Sequence, residues 1–397
     1  MTKLKPGWKM VKFGDVVRQC KESVDRDNNP FERYVEGGHM DSEDIHINRW
    51  GEFGIDYVGP AFHRIFRKGQ VLYGSRRTYL KKVAIADFDG ITANTTFVCE
   101  TKNPNVLMQE LLPFLMLTDS FTEHSIRESK GSTNPYINWP DIAKYEFPLP
   151  PLDEQKRIAE ILWAADEAVG KNIVSRQKAT QLLDSMRINE VCSEKYHWQK
   201  FGTILKSIVA GKSVVGVNTP AEKHEFGVLK VSAVGPNGFE PEENKRLINS
   251  TDFLPQYSVN QGALLITRCN TNDLVGRVCL TPADYPNLML CDKTLQLILD
   301  ESKANRRFMF EALRARPLRN QIMGCATGTG GAMKNISQQD IRSLSVPLPP
   351  RDLQETIALR VANVYQRIDE LTSQINMLRV LTKQLSNELI HGGAAHV

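Results

Sequence analysis

The sequence predicts an α+β fold: two similar globular domains separated by a long antiparallel two-helix coiled coil, with a pseudo-twofold repeat. Three observations predict it. First, the junction Pro148-Leu149-Pro150-Pro151-Leu152-Asp153-Glu154-Gln155 returns as Pro347-Leu348-Pro349-Pro350-Arg351-Asp352-Leu353-Gln354. Its flanks Asp141-Ile142 and Ile158-Ala159 return as Asp340-Ile341 and Ile357-Ala358, every pair 199 residues apart. A fixed separation without insertions argues for duplication of a structural unit. Second, a domain-sized segment of short strand-like pieces precedes each junction. Third, a long apolar-periodic stretch follows each one. The frames are residues 1–150 and 192–349 for the globular domains and 151–191 and 350–391 for the helices.

The junction has a physical reading. Prolines fix φ and remove N–H donors, so each copy is a rigid, extended stop. Asp153 and Asp352 then stand where an N-cap belongs.

In the first domain, Gly69 to Arg76, Lys82 to Ala86 and Thr95 to Cys99 read as strands bounded by Gly and Asn. Asn105 to Phe121 reads as a helical pair broken at Pro113. Ser129 to Pro135 reads as a polar turn. The second domain echoes this plan: Lys200-Phe201-Gly202 follows Lys12-Phe13-Gly14, and Lys293 to Leu297 follows the Thr95 strand. Gly262 to Arg268 echoes Gly69 to Arg76 with one residue fewer. Phe308 to Leu313 follows Leu111 to Leu117, and the Gly-rich Ala326 to Gly331 follows Lys130 to Thr133.

The second helix carries apolar residues at Ile357, Val361, Val364, Ile368, Leu371, Ile375 and Leu378, then Leu385 and Leu389, with Thr382 the one miss. Steps alternating four and three are the heptad signature. The first helix shows them more weakly at Ile158, Leu162, Ala165, Val169, Ala179, Leu183 and Met186, interrupted by Asn172 and Arg176. The two interrupting polar residues are expected to set register. At about 1.5 Å per residue each helix is roughly 55–60 Å long.

Composition bounds the function class. The 397 residues are 41% hydrophobic and 24% charged, as in a soluble globular protein, and the net charge of +4 names no partner by itself. Seven cysteines, with no Cys-x-x-Cys spacing, argue for reduced thiols rather than disulfides or zinc. The N-terminus lacks an apolar signal core, and Leu111 to Leu117 is too short to span a bilayer. A cytoplasmic protein of a bacterium or archaeon without membrane contact is expected.

Local charge says more. Val58 to Ala86 contains no Asp or Glu but holds Arg64, Arg67, Lys68, Arg76, Arg77, Lys81 and Lys82, interleaved with Phe62, His63, Phe66, Tyr73 and Tyr79. Cations alternating with aromatics suit contact with phosphates and base edges. Arg76 and Arg77 are the candidates for guanine, whose O6 and N7 match a guanidinium bidentately. Lys130, Ser132 and Thr133, and likewise Thr327 and Thr329, lie in Gly-containing loops whose backbone N–H groups suit a phosphate or a plain turn. In the second domain Lys303, Arg306, Arg307, Arg314, Arg316 and Arg319 oppose only Glu311 between Ser302 and Asn320, and Arg268, Arg277 and Lys334 add to them.

The layout resembles the specificity (S) subunit of a type I restriction-modification enzyme. The resemblance covers nearly the whole chain. It rests on the two Pro-Leu-Pro-Pro-x-x-x-Gln stops, the helix after each, the Lys-Phe-Gly near each domain start and the Gly69 and Gly262 strands. Arg351 and Leu353 depart from Leu152 and Glu154 of the first copy. The resemblance implies two target-recognition domains, each reading one half of a bipartite, asymmetric site on double-stranded DNA. It implies helices that set the spacing and dock two methyltransferase (M) subunits, and restriction/translocase (R) subunits in the larger complex. It implies no catalytic residues and no cofactor or metal on this chain; S-adenosylmethionine belongs to the adenine-specific methyltransferase partner, ATP and Mg2+ to the nuclease partner.

Rival readings come from the enzyme and scaffold classes. Ala210-Gly211-Lys212-Ser213 is not a phosphate-binding P-loop, because Lys206 occupies the place of its first glycine. Gly324 to Gly331 resembles a methyltransferase glycine loop, but no Asn/Asp-Pro-Pro-Tyr/Phe accompanies it. Glu100-Thr101-Lys102 with Asp89, and Glu301-Ser302-Lys303 with Asp284, suit a metal-dependent nuclease. A coiled-coil scaffold whose domains bind protein is the third reading.

Overall fold

The computed structural model describes residues 4–25, 28–55, 58–236, 238–328 and 333–391. The chain divides into two compact units, Met1–Ile173 with Thr372–Val397, and Val174–Leu371. Each unit is a mixed α/β globule completed by segments of both long helices.

Unit 1 contains β1 (Lys9–Lys12), α1 (Phe13–Val16), β2 (Val17–Cys20), β3 (Arg33–Val35), β4 (Gly51–Glu52), β5 (Phe62–Phe66), β6 (Val71–Gly74), β7 (Val83–Ile85), β8 (Gly90–Ala93) and β9 (Thr96–Thr101). Then follow α2 (Leu112–Leu117), α3 (Asp119–Arg127), α4 (Trp139–Ile142), β10 (Glu146–Leu149) and the start of α5 (Leu152–Met186). One sheet has the order β2-β9-β6-β7, the other β4-β3-β8-β5. Among the described residues the only parallel pairing in them is β3 with β8.

Unit 2 repeats these orders. Its elements are β11 (Trp198–Lys200), β12 (Leu205–Ala210), β13 (Gly216–Val217), β14 (Gly227–Leu229), β15 (Val234–Gly235), β16 (Gly238–Phe239), β17 (Asn244–Leu247), β18 (Ser258–Val259), β19 (Leu264–Thr267) and β20 (Cys269–Asn270). They continue with β21 (Val278–Leu280), β22 (Tyr285–Met289), β23 (Thr294–Leu299), α6 (Arg306–Arg314), α7 (Arg316–Cys325), β24 (Lys334–Asn335), α8 (Gln338–Ser343), β25 (Ser345–Pro347) and α9 (Arg351–His391). The sheets run β12-β23-β19-β21 and β13-β17-β14-β22-β18, and β14 pairs parallel with β22. The second sheet therefore gains one edge strand and otherwise keeps the plan.

The central strands are apolar at consecutive positions because both faces are covered. In unit 1, Val71 and Tyr73 face the helical core with Phe13, Phe121 and Phe147, while Leu72 faces a second core with Val35, Met40 and Phe66. In unit 2, Leu264 and Ile266 join the helical core and Leu265 the other. Alternation along a strand supplies both cores from one sequence run.

The start and end of each globular region close on one another. β1 pairs antiparallel with β10, and β11 with β25. Phe13 N–H donates to Tyr145 O and Phe201 N–H to Leu344 O, each at 2.7 Å. The following glycine is required by close approach: a Cβ on Gly14 would lie 2.7 Å from Ala143 Cβ, and one on Gly202 would lie 3.2 Å from Arg342 Cβ.

The seam residues are inward-facing. Ile158, Leu162, Val169, Leu183, Ile357, Val361, Leu371 and Ile375 are buried, and Val364, Ile368 and Leu378 half-buried. In unit 1, Ile158 and Leu162 of α5 share a core with Leu385, Leu389 and Ile390 of α9. In unit 2, Leu183 and Met186 share one with Ile357 and Val361.

Several details differ from the sequence expectation. The break in the helical pair falls at Thr118, not Pro113. Pro113 sits in the first turn of α2, where its missing N–H costs nothing. Thr118 caps α3 by accepting from Phe121 N–H. Asp153 and Asp352 lie in the first turn of α5 and α9 rather than before it. There their charge complements the helix dipole. The Asn172 amide donates to Ala168 O of its own helix at 2.8 Å.

Candidate nucleic-acid interface

Strand β6, four residues and about 13 Å long at about 3.3 Å per residue, separates the basic run of unit 1 into two ends. At its start, Arg67 has carboxylate partners from elsewhere in the chain and Arg64 has neutral ones. Arg67 pairs with Glu22 at 2.8 Å and Asp89 at 3.2 Å and stacks on Phe31. Lys68 is exposed, while its N–H donates to Asp89 at 2.8 Å. Arg64 donates to Lys21 O and Ser23 Oγ. The seven cations are thus not all uncompensated, as the local sequence suggested.

At the other end Arg76, Arg77 and Tyr79 are exposed. Arg76 and Tyr136 form a β-bridge, as do Lys130 and Tyr136, and Arg77 N–H donates to Pro135 O at 2.6 Å. These links bring the basic loop beside the Lys130, Ser132 and Thr133 turn, all three of whose side chains are exposed. Arg77 Nε donates to Asn134 Oδ1 at 3.3 Å. Among the described residues neither Arg76 nor Arg77 has a carboxylate partner, while Lys130 pairs with Asp141 at 3.0 Å. Sequence reasoning passed over Tyr136, 41% exposed, and Asn134. The signal available was an aromatic next to a Gly-Ser-Thr-Asn-Pro turn.

Lys81 and Lys82 point away from this face. Lys81, 14% exposed, pairs with Asp119 at 2.8 Å and Glu43 at 3.2 Å; Lys82 donates to Gly37 O. Burial acts to raise the Asp119 and Glu43 carboxyls, but the ammonium groups of Lys81 and Lys383 outweigh it and hold both below the usual range.

Unit 2 builds the same loop from different residues. Cys269 and Asn270 pair with Asn335 and Lys334 as Arg76 and Arg77 meet Tyr136 and Pro135, and Thr327 bridges Asn335 as Lys130 bridges Tyr136. The ladders align Gly74 opposite Thr96 with Thr267 opposite Thr294. No residue is missing from the second copy. Arg268 stands in the place of buried Ser75, and Cys269-Asn270 in the place of Arg76-Arg77. Arg268 is exposed, and Lys334 Nζ donates to Gly328 O at 3.3 Å. Thr327 is exposed; Thr329 lies outside the described residues.

The other cations of unit 2 scatter. Arg306 binds Gly262 O at 2.7 Å and Glu301, at the far end of β19 from Arg268. Arg307 is exposed on α6. Arg277 lies near Arg319, whose guanidinium is pushed down by burial and by that like charge. Arg314 donates to Tyr365 at 2.6 Å, within a buried network of Arg187 and Glu311.

The nuclease candidates are tied up in pairs. Glu100 accepts from Arg18 and from Gln70, and Lys102 donates to Gly14 O. Among the described residues no three His, Cys, Asp or Glu side chains converge to hold a metal.

Residues 5–175 match the family model for the type I restriction modification DNA specificity domain. That resemblance covers the first globular unit and runs into α5. It is 27% identical over 195 residues to the EcoEI specificity subunit of Escherichia coli, covering 49% of this chain and 33% of that protein. To the EcoKI specificity subunit of E. coli K12 it is 27% identical over 310 residues, covering 72% and 66%. This chain thus spans a third to two-thirds of the length of those relatives. A chain solved in a study of assembly and conformational transition of the type I restriction-modification system shares its fold, with a TM-score of 0.64 at 20% identity over 98% of this chain and 99% of that one. No helix among the described residues is long and apolar enough to cross a membrane.

Proposed function

We propose that this chain is the non-catalytic DNA-recognition subunit of a type I restriction-modification complex. Each globular unit reads one half of a bipartite, asymmetric site on double-stranded DNA. The observation that carries this reading is one loop built twice on the same ladder with different side chains, Arg76-Arg77 in one copy and Cys269-Asn270 in the other. A conserved frame with exchanged tips suits two readers of different base sequences.

The long helices set the base-pair spacing of the two halves and dock two methyltransferase subunits. Exposed apolar side chains support docking: Met377, Val380 and Leu381 in unit 1, Val174, Leu182 and Leu359 in unit 2. Restriction/translocase subunits complete the assembly in the cytoplasm. S-adenosylmethionine is held by the adenine-specific methyltransferase partners, ATP and Mg2+ by the nuclease partner.

Sequencing methylated bases in a host carrying the complete system tests this. A two-part recognition sequence with a fixed gap is expected. A single uninterrupted sequence would count against it, as would DNA cleavage by the purified chain with Mg2+ that disappears in Glu100→Ala and Glu301→Ala.

A further inference from the structure

The non-glycine residues with a left-handed backbone among the described residues are Glu43 (φ 56°), Arg77 (φ 49°) and Lys81 (φ 48°). All three belong to one constellation. Side-chain-bearing residues rarely adopt this conformation, and it persists where surroundings impose it.

The short 3-10 turn Thr78–Leu80 connects Arg77 to Lys81. Arg77 and Lys81 are therefore the two corners of the loop that presents Arg76, Arg77 and Tyr79. Two groups hold the Lys81 corner. Glu43 N–H donates to Lys81 O at 3.2 Å, and Ser42 Oγ donates to Leu80 O. The Lys81 ammonium reaches both Asp119 and Glu43.

Those two carboxylates are shared with the end of α9. Lys383 lies 3.1 Å from Glu43 and 3.5 Å from Asp119. One turn on, Asn387 clamps Asp119 from both sides: its Oδ1 accepts from Asp119 N–H at 2.8 Å and its Nδ2 donates to Asp119 Oδ2 at 2.9 Å. The last turns of α9 thus complete the support of a loop some 300 residues earlier in the sequence.

Among the described residues the second unit lacks this device. Leu274 N–H donates to Thr271 O at 3.0 Å, as Lys81 N–H does to Thr78 O. An apolar side chain stands where Lys81 makes its ion pairs.

We propose that Lys383 and Asn387 are positioning residues for DNA reading by the first unit: through Asp119 and Glu43 they fix Lys81, and with it the corners that aim Arg77 and Tyr79. This rests on the DNA-recognition reading above. Recognition of one half-site then depends on the last turns of the C-terminal helix, while recognition of the other half, by the unit without the ion pairs, does not depend on those turns.

The test uses the complete methyltransferase complex on DNA libraries with either half-site randomised. Lys383→Met is expected to lower discrimination roughly tenfold in the same half-site that Arg77→Ala relaxes, and to spare the other half. Asn387→Ala, which leaves every ion pair in place, is expected to do the same more weakly. Lys383→Arg is expected to restore discrimination. Equal weakening of both halves, or no change in either, would overturn the inference while leaving the DNA-recognition reading intact. A wild-type complex with no two-part site would overturn both.

Discussion

Gln155 and Gln354 make the same three hydrogen bonds, each within its own unit. Gln155 Nε2 donates to Val106 O at 2.8 Å and Pro150 O at 2.9 Å, and its Oε1 accepts from Met108 N–H at 2.9 Å. Gln354 Nε2 donates to Lys303 O at 3.1 Å and Pro349 O at 2.8 Å, and its Oε1 accepts from Asn305 N–H at 2.7 Å. Both side chains are fully buried, so the invariant end of the duplicated junction is a clip joining the proline stop to the loop after the central sheet.

Removing either clip strands one backbone N–H and two carbonyls. Gln155→Ala and Gln354→Ala are each expected to destabilise their own unit by about 2–3 kcal/mol, the cost of buried polar groups left without partners. Urea unfolding of the full chain, followed by hydrogen exchange in each unit, reads this. Loss in the opposite unit would contradict it.

The cations of the first unit separate by their partners. Arg76→Ala is expected to cost about 1–3 kcal/mol of base discrimination in one half-site. Arg67→Ala breaks an exposed pair with Glu22 and Asp89 and is expected to change stability by less than about 1 kcal/mol, with base discrimination preserved. Competition binding with half-site variants separates the two.

Gly170 lies in the middle of α5 and lines a cavity of about 310 Å³ with Ile45, Phe114 and Val169. A Cβ there would meet nothing within 4 Å. Gly170→Ala is therefore expected to stabilise the protein by about 0.5–1 kcal/mol. A fall in melting temperature would show that the cavity cannot take the methyl group.

His46 ties the loop before β4 to α5 through Asp166 at 2.8 Å, and this hydrogen bond raises the imidazole pKa. A pKa raised on folding gives stability that is full below the unfolded value near 6.5 and is lost as pH rises through the folded value. His46→Gln is expected to remove that part of the slope in melting temperature just above neutral-acid pH. An unchanged slope would mean the pair contributes nothing. On the acid side, Glu43 and Asp119 act oppositely: their lowered pKa values give stability that is lost as pH falls through the folded values.

The duplicated frame was legible because it is written in local chemistry. Prolines at constant separation, apolar strands and heptad steps each act over a few residues. The partners of the cations were not. Glu22 and Asp89 reach Arg67, and Asp119 reaches Lys81, from segments that only the folded sheet and α3 bring near. The place of Arg268 was misread for a related reason: strand ladders, not matching arginines, set the correspondence of the two loops. Pro113 looked like a helix break, but a proline in the first turn is tolerated, and Thr118 supplies the cap that starts the next helix.

The central claim is that the loop at Arg76-Arg77 and the loop at Cys269-Asn270 each read their own half of one site. Selecting bound sequences from a library randomised across the whole site, with wild-type and Arg76→Ala complexes side by side, tests it most directly. The account predicts that base preference disappears at positions in one half while the other half and the gap stay as they were. Preference lost across both halves, or in neither, would contradict it.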